Sequence, residues 1–209
     1  LAIVAGGLKV LAPIRDEPRE RAEQMAWLRE RGLPPPPSGG RYSVNAGLWG
    51  LTIGGGETLD SKDPLPEAAW RWTRDARAER SFHVRFEQGV PVALDGTALD
   101  PVALIERLNV EAGATGAGRG YHLGDTVLGI KGRIGYEAPA AEVLLSAHRE
   151  LEKLVLTEDQ RIVKDHLGDQ YGRMLHQGRF SDPLMRNLEA LFASTPLPGQ
   201  TTFAALAEA

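Results

Sequence analysis

From residue 116 to residue 137 the chain reads GAGRGYHLGDTVLGIKGRIGYE, and seven of those 22 residues are glycine. Glycine weakens the interior of helices and strands alike, so a run this rich in it suits tight turns and close backbone approach. The same stretch carries Arg119, His122, Asp125, Lys131, Arg133, Tyr136 and Glu137. Polar and charged side chains interleaved with such turns are what a pocket for a small charged ligand requires. Thr126, Val127, Leu128 and Ile130 offer short apolar pieces able to anchor it as a strand between two loops. The other reading is a glycine-rich hairpin whose charges merely face water, and the local pattern leaves both open.

Composition narrows the class. With 209 residues, 42% of them hydrophobic, the chain can bury one good core, or one domain plus an extension. A net charge of −4 argues against nucleic-acid binding driven by phosphate neutralisation. The absence of cysteine excludes disulfides and thiol-ligated zinc and fits a reducing cytoplasm. No apolar run approaches the ~18 residues of a membrane span. The chain begins with Leu1 and contains no GxxxxGK[ST] phosphate loop. Residues 1–13, LAIVAGGLKVLAP, read as an apolar turn and then a short strand (Leu8, Val10, Leu11). That pattern suits the exit strand of a preceding α/β nucleotide-binding domain, so a longer protein is expected.

Periodicity organises the remainder. Residues 17–31 read as a helix, with Pro18 in its first turn and Gly32 at its C-terminal end. Residues 33–40, LPPPPSGG, form a stiff and then flexible connector. Residues 41–58, RYSVNAGLWGLTIGGGET, read as an irregular ligand-facing loop, and 64–73 as a short helical turn. Phe82, Val84 and Phe86 alternate with polar residues. With 90–94 they predict an antiparallel hairpin through Gln88-Gly89, ending at an Asp95-Gly96 turn. Asp100-Pro101 caps a helix that runs to about Glu111. Beyond the glycine-rich stretch the chain turns helical. Val143, Leu144, Ala147, Leu151 and Leu154 share one face. Thr157 and Gln160 form a capping box for a helix carrying Val163, Leu167, Tyr171, Met174 and Leu175 inward. Asp182-Pro183 opens a last helix with Leu184, Leu188, Leu191 and Phe192 apolar. The tail from Thr195 is expected to lie against a partner or fray. The fold class is therefore α+β, a small mixed or antiparallel sheet with a hairpin followed by a helical C-terminal part. Its divisions are 1–13, 14–194 and 195–209.

Common catalytic signatures are missing. The five histidines include no HxH or HExxH spacing, and no GxSxG turn is present, so neither a metal site nor a catalytic residue is assigned. Lys131 and Arg133, two apart, would share one face of a strand. There they can meet phosphate or carboxylate, or pair with Asp125 and Glu137. Local chemistry supports a site for a zwitterionic or phosphorylated small molecule without choosing one.

Taken in order, several segments resemble the C-terminal portion of the argininosuccinate synthase family. They are LKVLAPIR (8–15), YSVNAGLWG (42–50), FEQGVPVALDG with LDPVALIERLN (86–109), GRGYHLGDTVLGIKGRIGYEAP (118–139) and AHRELEKLVLT (147–157). The likeness extends to about Phe192. The resemblance implies an ATP-dependent C–N ligase in which ATP activates the ureido oxygen of citrulline as an adenylate. The aspartate amine then displaces AMP to give argininosuccinate. It implies a cytoplasmic homotetramer of arginine biosynthesis with no membrane partner, whose ATP and Mg²⁺ are held mainly by an N-terminal domain. Together with the local reading of the two polar, glycine-rich segments, it makes Tyr42, Ser43, Asn45, Arg119, Asp125, Lys131, Arg133, Tyr136 and Glu137 the candidate substrate-binding residues. Ser43 matches a family serine at the amino-acid end of citrulline, and Tyr136 a tyrosine near it. The family's glutamate for the citrulline ammonium falls on Gly124, with Asp125 next along. Its other serine, expected near residues 16–18, is missing. Either Asp125 replaces that glutamate or the amino acid is held differently. Two other functions stay open: a non-catalytic subunit kept for assembly, and an adenylating ligase for another amino-acid-like pair.

Overall fold

In the computed structural model, which describes residues 6–34, 40–73, 79–125, 131–195 and 200–207, the chain divides into two units, 1–40 and 41–209. The first unit holds a single helical turn, α1 (Pro13–Asp16), and one longer helix, α2 (Arg21–Glu30). Glu20 and Glu23 cap α2 reciprocally, each side chain meeting the other's backbone N–H, and Gly32 follows its end with φ at +65°. The helix thus starts four residues later than Pro18 suggests, because the reciprocal pair fixes the first turn. Residues 9–12, where the sequence suggests a strand, are irregular. No strand is described in this unit, and a strand without a neighbour leaves its backbone groups unpaired.

The second unit is built on two antiparallel sheets. Its strands are β1 (Ser43–Gly47), β2 (Gly50–Gly54), β3 (Arg80–Glu87), β4 (Val90–Leu94), β5 (Thr97–Ala98), β6 (Arg119–Asp125), β7 (Lys131–Glu137) and β8 (Gln200–Ala207). Sheet A has the order β1-β2-β7-β6 and sheet B the order β5-β4-β3-β8. The helices are α3 (Pro101–Gly113), α4 (Pro139–Val155), α5 (Glu158–His176) and α6 (Pro183–Ala193). The α+β reading holds, with two sheets in place of one small one.

Sheet B forms as its sequence dictates. Gln88 and Gly89 take φ of +50° and +80°, and Asp95 and Gly96 +49° and +79°, so each hairpin turns through two left-handed residues. Phe82, Val84, Phe86 and Leu94 are buried and meet Leu104, Ile105 and Leu108 of α3 and Val143, Leu144, Ala147 and Leu151 of α4. Each large side chain so buried contributes about 1.5–3 kcal/mol. Asp100 caps α3 by accepting from the backbone N–H groups of Val102 and Ala103. Leu154, expected on the inner face of α4, is 75% exposed, since the sheet ends one turn earlier. The tail departs most from expectation. Gln200–Ala207 forms a strand that pairs along the whole of β3.

α5 carries the Thr157–Gln160 capping box, and its end is closed by Gly178 at φ +70°. Only Met174 of its apolar residues is fully buried, in a small cluster with Met185 and Leu188 of α6. Val163 and Leu175 lie about half exposed instead of inside. α5 is tied back to α4 through Glu152, which meets the Lys164 ammonium and sits 3.4 Å from His148 Nδ1. Burial alone would raise the Glu152 carboxyl, but the His148 and Lys164 contacts override it and hold it at about 2.

Candidate functional site

Residues 41–58, read as an irregular loop, instead form the β1–β2 hairpin and a single 3-10 turn (Gly56–Leu59). The glycine-rich stretch forms the β6–β7 hairpin, but its charges do not merely face water: Glu137 is buried, and Arg119 and Arg133 are engaged. The strand reading of 126–128 and 130 lies outside the described residues. The two hairpins meet through β2 and β7, with Thr52 opposite Tyr136 and Leu51 opposite Glu137.

Strand alternation then sorts the side chains by face. One row across sheet A is Asn45, Thr52, Tyr136 and Gly120, and on the same face stand Ser43 in β1 and His122 in β6. Strand spacing puts Asn45 about 10 Å from Tyr136 and makes the face about 14 Å wide. Ser43, Asn45, Tyr136 and His122 are exposed, and no element packs over them among the described residues. Glycine makes the floor. A Cβ on Gly120 would lie 2.8 Å from the Tyr136 hydroxyl, and one on Gly124 would lie 2.9 Å from His122 Nε2. The Tyr136 ring and the His122 imidazole therefore lean over positions where only glycine leaves room.

The opposite face carries every charged side chain of the hairpin. Leu51 and Ile53 bury there against Leu65, Ala69 and Trp70. Glu137 is fully buried and accepts from the backbone N–H groups of Arg71 (2.8 Å), Trp72 (2.8 Å) and Thr73 (2.7 Å) and from the Thr73 hydroxyl (2.7 Å). Arg133 donates to the carbonyls of Glu57 (3.2 Å), Asp60 (2.7 Å) and Asp63 (2.9 Å) and stacks over Tyr121. Arg119 binds both carboxylate oxygens of Glu67 and stacks over Trp70. Lys131 pairs with Asp125 at 2.7 Å near the exposed end of the hairpin. Tyr42 also belongs to this side. Its hydroxyl donates to Glu57 Oε2 at 2.6 Å, which raises the tyrosine pKa and lowers that of the glutamate.

Of the nine residues the sequence singled out, the sheet brings Ser43, Asn45 and Tyr136 together on the open face. Tyr42, Arg119, Asp125, Lys131, Arg133 and Glu137 stand on the other, each already partnered. Lys131 and Arg133 do share a face, as their spacing requires. Thr52 and His122 stand on the same open face; the sequence had named His122 only among the polar residues of its stretch, and Thr52 not at all. The signal for both was alternation, which needs a strand assignment that glycine obscured.

A groove of about 760 Å³ lies elsewhere, between the β1–β2 turn and α3. Leu48, Trp72, Val102 and Val110 make it apolar. Its Asn109 amide is already engaged, donating to the Leu48 carbonyl and accepting from the Ala140 N–H. Glu106 is its one charged lining residue. Among the described residues no three His, Asp or Glu side chains gather to hold a metal ion. No helix among them is long and apolar enough to cross a membrane.

A family model described as the arginosuccinate synthase C-terminal domain matches residues 42–197. It starts one residue inside the second structural unit. Argininosuccinate synthase of Methanocaldococcus jannaschii is 38% identical over 198 residues, covering 93% of this chain and 50% of that protein. The corresponding figures are 41% over 183 residues, 87% and 47%, for that of Metallosphaera sedula. For that of Haloarcula marismortui they are 42% over 192 residues, 90% and 46%. The chain spans about half the length of the curated relatives it matches.

Proposed function

We propose, from the premise that this chain belongs to the argininosuccinate synthase family, that it is the synthetase half of an ATP-dependent ligase joining citrulline to aspartate. One observation carries the reading. The collinear similarity runs across the two hairpins whose union collects Ser43, Asn45 and Tyr136 on one open, glycine-floored face. Hydroxyl and amide groups at those positions suit the polar end of an amino acid. The buried Glu137 clamp and the Arg133 clamp on the reverse tie β7 to residues 71–73 and 57–63 beneath it.

In the proposed reaction the ureido oxygen of citrulline attacks the α-phosphorus of ATP and pyrophosphate leaves. The aspartate nitrogen then forms its bond to the ureido carbon, a proton is lost, and AMP departs with that oxygen. We assign ATP and Mg²⁺ to the half of the relatives that this chain does not span. This chain would orient the amino acid. A cysteine-free composition supports a cytoplasmic setting. The exposed Ile162, Val163 and Leu175 of α5 support assembly into a homo-oligomer, the tetramer being the expected form.

The test compares pyrophosphate release from ATP, citrulline and aspartate in two samples. The 209 residues alone should stay at background. The same chain joined behind the ATP-binding half of a relative should turn over. Activity of the isolated chain, or none from the joined protein, would sink the reading. The second outcome would leave the assembly role or another amino-acid pair in its place.

A further inference from the structure

The open face of sheet A has an uneven chemistry. Its described side chains are Ser43, Asn45, Thr52, Ile134, Tyr136 and His122, together with glycines and Ala138. None is acidic. Asp125 and Glu137, the carboxylates of the hairpin, project from the reverse face, one held by Lys131 and the other by the backbone of 71–73. An α-ammonium therefore finds no carboxylate here, while a carboxylate finds a row of donors. His122 stands at the β6 end of that row. Its imidazole makes no hydrogen bond or ion pair among the described residues and leans over Gly124, where any side chain would strike it. Arg119, Lys131 and Arg133, the cations nearest in the strands, are on the other side and engaged.

We propose that His122 is a specificity-determining residue of this face and donates a hydrogen bond to a carboxylate of an amino-acid substrate. The inference rests on the ligase reading for the identity of the amino acids, and on the sheet register for the residue. It replaces Asp125 as the group expected to meet the amino-acid end. A carboxylate is carried by both citrulline and aspartate, so the face recognises a chemistry that either can supply.

The protein for the test is the chain joined to its ATP-binding half. His122→Ala should raise the KM of one amino acid by about 10- to 150-fold, the range of a hydrogen bond to a charged group. The ATP KM should stay within about twofold. Which KM moves, that of citrulline or that of aspartate, identifies the source. The matching inhibitor without a carboxylate is 4-ureidobutylamine for citrulline or ethylamine for aspartate, and its Ki should change less than about twofold. His122→Lys, which keeps a donor, should recover much of the loss, whereas a merely structural histidine would show no such rescue. Equal weakening of acid and amine would overturn the proposal, as would unchanged values for both amino acids. A readout without turnover separates this from the ligase reading. In the unmodified protein the His122 imidazole resonances should shift on titration with the amino acid and stay put with the amine. If that holds while no argininosuccinate forms, the ligase reading falls and the His122 contact stands. If product forms and the resonances are silent, the reverse is true.

Discussion

The two sheets have the same size and the same antiparallel pairing, yet they are built for opposite purposes. The strands of sheet B contain no glycine, and one face is filled by Phe82, Val84, Phe86 and Leu94 against two helices. Those of sheet A contain seven, Gly47, Gly50, Gly54, Gly120, Gly124, Gly132 and Gly135. Sheet A packs one face on a small cluster and leaves the other bare. Apolar burial stabilises in proportion to area, so sheet B holds the larger share of the unit's stability. Glycine lowers strand stability but lets a ligand approach the backbone. On the proposed reading of the open face, stability and recognition are placed on separate sheets. Sheet A compensates with polar clamps, Glu137 and Arg133, where sheet B uses side-chain volume.

Removing volume from sheet B should have the largest effect. Phe82→Ala is expected to cost about 3–5 kcal/mol, read from urea unfolding. Amino-acid KM in the protein that remains folded should not move. A cost below about 1 kcal/mol would erase the distinction between the sheets.

The polar clamp should come next. Glu137→Gln turns an acceptor toward three N–H groups into a partial donor, and a loss of about 2–4 kcal/mol should appear in thermal unfolding. If the change proves neutral, the closed face of sheet A is held by its apolar cluster instead.

The helical layer behind sheet B offers a pH test. Glu152 is held at about 2 by His148 and Lys164, below the ordinary carboxylate range. Its contribution should be fully present above pH about 4.5 and lost as pH falls toward about 2. Glu152→Gln should cost about 2 kcal/mol at neutral pH and flatten that stretch of the stability curve. An identical acid profile in the variant would show that α4 and α5 are joined by something else.

The open face should respond in binding more than in stability. Gly120→Ala places a methyl group 2.8 Å from the Tyr136 hydroxyl, so the ring must shift. Citrulline KM should rise about tenfold, equivalent to about 1.4 kcal/mol, while the melting temperature moves by only a few degrees. Smallest of all is Asp125→Asn. Both members of its ion pair are largely exposed, so KM should stay within about twofold and the melting temperature within about 1 °C. A large KM effect there would return Asp125 to the site and undo the sorting by face.

The sequence by itself determined the elements whose information is local. The β3–β4 hairpin follows from alternation plus two left-handed turns. The starts of α3, α5 and α6 follow from Asp100, Thr157 and Asp182, whose side chains accept from the backbone two or three residues on. Motifs in order also identified the family. What the tertiary structure alone decided is which side of a strand each residue takes and who meets it there. Val44, Ala46, Leu51 and Ile53 do alternate, but the glycines at 47, 50 and 54–56 cut that pattern into pieces of two, so the β1–β2 hairpin reads as a loop until β7 pairs with it. Gln200–Ala207 reads as a tail until β3 offers an edge, because a strand is stabilised by a neighbour distant in sequence. The same pairing turned Asp125 and Glu137 away from Tyr136 and put His122 beside it. With a period of two, a shift of one residue exchanges the faces of a sheet, and register is a property of the partner strand.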